Sequence, residues 1–224
     1  MKKLKILIKY FHYLLKANNR HGIHSPFVYD LIDNVIYDTK VYPEYLEIEK
    51  IRKKYIADTG SIQIEDYGAG SSINSARTRK ISEIAAYSAK SKKQAALLFR
   101  LVKYFKSSTI LELGTSLGIT TLYLAKAGEN SKVFSIEGCP NTAALAKNGF
   151  ENCSVQNITL TTGEFQNVLP GLIVGLPELD FVFFDGNHQK EPTLAYFEAC
   201  LQKAGNNAVF VFDDIHWSDE MDQA

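Results

Sequence analysis

From Ser108 onward short apolar runs alternate with helical segments, and this alternation constrains the fold more than any other feature of the chain. The runs are Thr109-Ile-Leu-Glu-Leu113, Lys132-Val-Phe-Ser-Ile-Glu137, Val155-Gln-Asn-Ile-Thr159, Asp180-Phe-Val-Phe-Phe-Asp185 and Ala208-Val-Phe-Val-Phe-Asp213. Strand, crossover helix and parallel strand connect right-handedly, so five such runs predict a doubly wound α/β domain on a parallel sheet. Near-continuous apolar strands fit a sheet covered by helices on both faces. An open α/β sheet binds its ligand outside the carboxyl ends of the strands. Glu112, Glu137, Asp185, Asp213 and Asp214 stand at or near those ends and are expected to converge on one crevice.

The first hundred residues read differently. After Asn18-Asn-Arg-His-Gly22, Ser25 is placed to cap a helix that begins at Pro26 and runs to about Ile36. Residues 40–60 carry mixed charges without a strand signal, and 73–106 read as two helices, the second from Gln94 to Phe105. With 224 residues and 46% hydrophobic content, the chain suits one globular core with an extension. The expected organisation is a mainly helical N-terminal extension over 1–106 and a ligand-binding core over 107–224. Leu4, Leu7, Ile8, Phe11 and Leu15 recur at helical spacing. They predict an amphipathic helix packed on the domain, with membrane-surface binding as the rival. Lys9 and His12 interrupt the apolar stretch, which is too short to span a bilayer and lacks the small-residue cleavage site of a signal peptide.

Charge excludes one class of partner. With 25 basic and 25 acidic residues the net charge is zero, which offers no general attraction for nucleic acid, so a small-molecule ligand is expected. Cys139, Cys153 and Cys200 are widely spaced, as in a reduced cytoplasmic protein without a disulfide framework or zinc knuckle. His21 and His24 are close together, but no third metal ligand is near them, and loop histidines more often cap or hydrogen-bond.

Two glycine turns compete for the nucleotide loop. Ile62-Gln-Ile-Glu-Asp-Tyr-Gly68-Ala-Gly70 looks like a strand entering a turn, yet no second strand with a terminal acid follows it. It reads as a structural turn, with a pocket-covering loop as the alternative. Glu112-Leu-Gly-Thr-Ser-Leu-Gly118 instead leads into a helix and then a strand ending in Glu137, about twenty residues on, where a ribose-binding acid belongs. Gly114 lets the backbone approach a ligand. Helix-start amides with the hydroxyls of Thr115, Ser116 and Thr120 are placed to hold a carboxylate. A dinucleotide dehydrogenase is less well matched, because Glu112 and Leu117 occupy two positions where its fingerprint has glycine.

Over residues 108–216 the chain resembles class I S-adenosylmethionine-dependent methyltransferases, and within them the cation-dependent O-methyltransferases of the catechol and caffeoyl-coenzyme A type. Glu112-Leu-Gly-Thr-Ser-Leu-Gly118-Ile-Thr120 is similar to that family's glycine signature, and Ser135-Ile-Glu137-Gly-Cys-Pro140 to its ribose strand. The resemblance implies a Rossmann-like methyltransferase sheet, with S-adenosylmethionine held by Glu112, Gly114, Thr115, Ser116, Gly118, Thr120, Glu137 and Asp185. It places the adenine-edge loop at Gly163, Glu164, Phe165 and Gln166, although Phe165 reads equally as a core residue at a helix start. It also implies that Asp185, Asp213 and Asp214 hold a divalent cation such as Mg²⁺, which hard carboxylate oxygens suit. Capping of the following turn is the simpler role for the Asp213–Asp214 pair.

The chain departs from the family at three places. His188 stands where the family has a lysine base, and Asp213-Asp214 where it has aspartate and asparagine. His188 is the candidate base, alongside a plain turn-bonding role, with His24 and His216 as the other candidates. Only Ile215–Ala224 follow the fifth run, too few for the family's C-terminal antiparallel strands, so a truncated chain is expected. The edge at 209–212 then needs covering by the N-terminal segment or a second copy. The implied activity is metal-assisted O-methylation of a small-molecule hydroxyl. The alternatives are an NAD(P)-dependent oxidoreductase or a non-catalytic interaction module.

Overall fold

The computed structural model of the protein describes residues 10–11, 13–17, 22–65, 67–68, 77–216 and 218–224. The chain divides into two compact units, Met1–Lys40 and Val41–Ala224. In the first, residues 10–11 and 13–16 are helical, while Leu4, Leu7, Ile8 and His21 lie outside the described residues. Helix α1 (Pro26–Leu31) begins as read: Ser25 accepts from the Val28 N–H at 3.4 Å, with Pro26 in the first turn. A π-helical turn, Ile32–Ile36, continues it.

The second unit begins with helix α2 (Pro43–Ala57), which occupies the stretch read only as mixed charge and buries Tyr45, Ile48, Ile51 and Tyr55. Strands β1 (Ser61–Gln63) and β2 (Thr78–Lys80) pair antiparallel, with Ile62 opposite Arg79. Thr78–Lys80 was expected to be helical, and its strand pairing with β1 overrides that local reading. Helix α3 (Ile81–Tyr87) and helix α4 (Lys92–Phe105) follow. A capping box starts α4: the Ser91 hydroxyl accepts from the Gln94 N–H, and the Gln94 side chain accepts from the Ser91 N–H. The chain division falls after Lys40 rather than near residue 106, because α2 to α4 bury Tyr45, Ile48, Ile84, Ala95 and Phe99 in the same core as the sheet.

The remaining elements are β3 (Thr109–Leu113), α5 (Ile119–Lys126), β4 (Lys132–Glu137), α6 (Pro140–Asn152), β5 (Ile158–Thr162), α7 (Phe165–Gly175), β6 (Leu179–Phe184), α8 (Lys190–Leu201) and β7 (Ala204–Phe212). The five strands from β3 to β7 form one parallel sheet in the order β5-β4-β3-β6-β7, the doubly wound arrangement expected. β5 begins three residues later than the run read at Val155. The Val155 N–H bonds the Phe150 carbonyl and so closes the end of α6 instead of extending a strand.

Side-chain alternation along the strands feeds two cores. Ile110, Val133, Phe181 and Phe183 pack on the face covered by α2 to α6. Leu111, Leu113, Ile136, Val182 and Phe184 pack on the opposite face with Leu169 and Ile173 of α7 and Tyr196 and Cys200 of α8. This is the two-sided burial that whole-strand apolarity requires. β7 lies at the sheet edge, hydrogen-bonded to β6. After it the chain turns back, and Met221 is buried where the Thr193 hydroxyl donates to its Sδ at 3.7 Å. Among the described residues no helix is long and apolar enough to cross a membrane, and the three cysteines are free thiols.

Candidate active site

A cavity of about 390 Å³ opens at the carboxyl ends of β3, β4 and β6. Its floor depends on a close approach of two strand tips. Gly114 follows β3 with φ of +110°, and a Cβ there would lie 2.2 Å from the Asp185 carbonyl oxygen beyond β6. Only glycine fits that backbone-on-backbone contact. Gly118, with φ of +75°, precedes α5 and faces the Phe150 ring, where a side chain would collide.

Glu137, the last residue of β4, lines this cavity. Its Oε2 accepts from the Ser116 N–H at 2.7 Å and its Oε1 from the Cys139 N–H at 3.0 Å. A carboxylate accepts at several positions around its two oxygens, which is the chemistry a ligand's hydroxyls need. Across the cavity Glu164, Phe165 and Gln166 line the wall at the start of α7. Phe165 also packs edge-on against Tyr196, with ring centroids 5.7 Å apart, so it serves both core and cavity.

Five of the expected contacts do not line the cavity. Thr115, Thr120 and Glu112 are buried. The Thr115 hydroxyl donates to Ser135, which in turn donates to Glu112 Oε2; the Thr121 hydroxyl donates to the same oxygen at 2.5 Å. These hydroxyls tie β3, β4 and α5 together beneath the loop. Glu112 is completely buried, and burial pushes its carboxyl up to about 7 against the opposing effect of the two donors. Gly118 serves the packing of α5 on α6. Gly163 serves the turn after β5, where its φ is +147° and its N–H bonds the Glu137 carbonyl.

At the other end of the cavity lie Asp185, His188 and Asp214. His188 Nε2 is 4.0 Å from Asp185 Oδ1 and 3.8 Å from Asp214 Oδ2. Asn187 and His188 both have left-handed backbone, φ of +70° and +51°, in the turn after β6, and both line the cavity. Asp213 does not line the cavity.

Lys90 enters between these carboxylates from the turn joining α3 to α4. Its Nζ is 2.9 Å from Asp185 Oδ1 and also bonds Asp213 Oδ2. Burial opposes the charge on Lys90, but the two carboxylates outweigh it and raise the ammonium pKa. Burial likewise pushes the Asp185 carboxyl up, and the adjacent ammonium opposes that shift. With the ammonium in direct contact with Asp185, an ion pair is the state the geometry favours. The three aspartates read as a cation site do not fit one as arranged. Lys90 holds two of them, and among the described residues no group of three His, Cys, Asp or Glu side chains is disposed to bind a metal.

The sequence reading missed Lys90, Tyr67 and Asn187 as cavity-lining residues. Tyr67 and Gly68 belong to the turn taken as structural, and both line the cavity, which favours its pocket-covering alternative. Tyr67 donates to Glu65 Oε2 at 2.6 Å, and Gly68 packs on the Asn187 backbone. Gly70 lies outside the described residues. Of the other candidate bases, His24 is exposed within the first unit, and His216 is hydrogen-bonded to Asp222 and does not line the cavity.

Comparison with known proteins bears out the family resemblance. Residues 111–215 match the family described as a methyltransferase domain. The chain is 30% identical over 127 residues to a catechol O-methyltransferase of Mycobacterium tuberculosis, covering 56% of each protein. It is 28% identical over 125 residues to a catechol O-methyltransferase of Niastella koreensis, covering 54% of this chain and 56% of that one. The chain thus spans about half the length of these curated relatives. Its fold is similar to that of an O-methyltransferase from Bacillus cereus solved with SAH, with a TM-score of 0.58 at 20% identity over 83% of this chain and 70% of that one.

Proposed function

We propose that this chain, which carries a class I methyltransferase domain, transfers a methyl group from S-adenosylmethionine to an oxygen of a small molecule. The observation that carries the reading is Glu137: an acid at the end of the second sheet strand, pinned by two backbone N–H groups and facing the cavity beside Gly114. A carboxylate at this strand end, facing the cavity, suits ribose hydroxyls, and Glu164 to Gln166 suit the base edge. When bound, the cofactor supplies an electrophilic methyl on its sulfonium sulfur.

The chain's own task is to position the acceptor oxygen and receive its proton. As the oxygen bonds to the methyl carbon, the carbon–sulfur bond breaks with its electron pair left on sulfur, and the hydroxyl proton passes to a base. His188 is the candidate base because it lines the cavity near two carboxylates that would stabilise its imidazolium. The divalent cation that the resemblance implied would have to displace Lys90 from Asp185 and Asp213, so no step is assigned to it.

Calorimetric titration with S-adenosylmethionine and S-adenosylhomocysteine tests the reading, with NAD and NADP as controls. One cofactor molecule per chain is expected, with no nicotinamide binding. Phenolic and sugar acceptors then report turnover. Failure of both sulfur compounds to bind would defeat the proposal.

A further inference from the structure

We infer that the ammonium of Lys90 takes the place of a divalent cation in this site, as a built-in positive charge that faces the acceptor oxygen. Lys90 lines the cavity, and its side chain is only 12% exposed between Asp185 and Asp213, whose side chains are 13% and 22% exposed. An ammonium has three N–H donors, of which two go to these carboxylates and the third is available to a ligand oxygen. One buried cation flanked by two acids leaves no room for a second positive ion without separating the pair, at the cost of a buried unpaired charge.

The origin of Lys90 makes this arrangement specific. It sits in the short turn between α3 and α4, directly before the Ser91–Gln94 capping box that fixes the start of α4. The helices of the N-terminal half therefore deliver the charge, and the sheet delivers the carboxylates. Lysine is a point charge without vacant coordination positions. It steadies one developing oxyanion, whereas a metal ion with open positions chelates two neighbouring oxygens. The charge assignment rests on the ion-pair geometry, and its role toward the acceptor rests on the proposed methyl transfer.

Titration of the full chain with manganese(II) chloride, followed by calorimetry and by the loss of the free-ion electron paramagnetic signal, tests the inference without an acceptor. Wild type, Lys90→Met and Lys90→Arg are compared, each with and without S-adenosylhomocysteine. Wild type and Lys90→Arg should show no stoichiometric binding. Lys90→Met, which keeps an unbranched stem and frees the acids, should bind manganese about tenfold tighter or more. One manganese ion per wild-type chain, lost on Asp185→Asn, would overturn the inference. So would a folded Lys90→Met that binds the ion no better than wild type. If that variant does not fold, the wild-type titration alone decides. S-adenosylhomocysteine binding reports on the methyltransferase reading separately, since its failure would leave the manganese comparison intact.

Discussion

The two ends of the cavity are built in different ways. The end formed by Gly114, Ser116, Glu137 and the start of α7 comes entirely from turns that follow parallel strands, each beginning or ending within a few residues of a strand tip. The end formed by Lys90, Asp185, His188 and Asp214 joins the turn before α4 to the tips of β6 and β7, with Lys90 separated from Asp213 by 123 positions. The first end is therefore held by backbone geometry, through glycine contacts and N–H donors. The second is held by charge. Disturbing the first should damage cofactor binding, and the fold as well where a glycine contact is broken, whereas disturbing the second should damage chemistry and leave the cofactor bound.

Gly114→Ala should produce the largest effect. Its Cβ would meet the Asp185 carbonyl from a left-handed backbone, and neither backbone segment can yield cheaply. A loss of more than about 3 kcal/mol in unfolding free energy is expected, measured by chemical denaturation. Stability like that of wild type would mean that the β3 and β6 tips do not approach so closely.

His188→Ala probes the charged end and should lower the methylation rate by about 100-fold or more, as expected for a lost general base. Calorimetry on the same variant should find cofactor affinity retained, because His188 belongs to the other end of the cavity. An unchanged rate would return His188 to a turn-bonding role.

Glu137→Ala should weaken cofactor binding by about tenfold or more while the chain stays folded, since each hydrogen bond to a charged group contributes about 1.5 to 3 kcal/mol. Comparison with His188→Ala separates the two ends: one variant moves affinity and the other moves rate. A folded Glu137→Ala with undiminished affinity would break the comparison.

Glu112 gives the smallest effect, seen in the pH dependence of stability. Its folded pKa of about 7 lies above the ordinary carboxyl value of 4.5, so the native state favours the neutral form. The stability that Glu112 contributes is full below about pH 4.5 and is lost as pH rises through about 7. Glu112→Gln removes that titration. Its melting temperature should gain on wild type by a few degrees between pH 5 and pH 8. A constant difference across that range would show that Glu112 does not titrate there.

Much of this was legible locally. The five apolar runs specified a parallel sheet because strands buried on both faces must be apolar along their whole length, and the structure has all five in one sheet. The pairing of Gly114 with a terminal Glu137 was legible because a βα turn and the next strand end are neighbours in a right-handed crossover. The β5 boundary was missed because Val155 closes a helix end, and a periodic reading does not separate a capping residue from a strand start. The burial of Thr115 and Thr120 was not legible because spacing within a turn does not say which side chain points inward.

Sequence by itself determined the sheet, the crevice and the acid that faces it, since each follows from residues close together in the chain and from the handedness of a βα unit. Tertiary structure alone decided the sign and source of the charge among the aspartates. Lys90 sits in an unremarkable Ala-Lys-Ser turn, and only the packing of α3 and α4 on the sheet brings its ammonium to Asp185 and Asp213. Local backbone preferences reach across a few residues. A buried ion pair is chosen by the fold, because its partners meet only when distant elements are packed and water is excluded from between them.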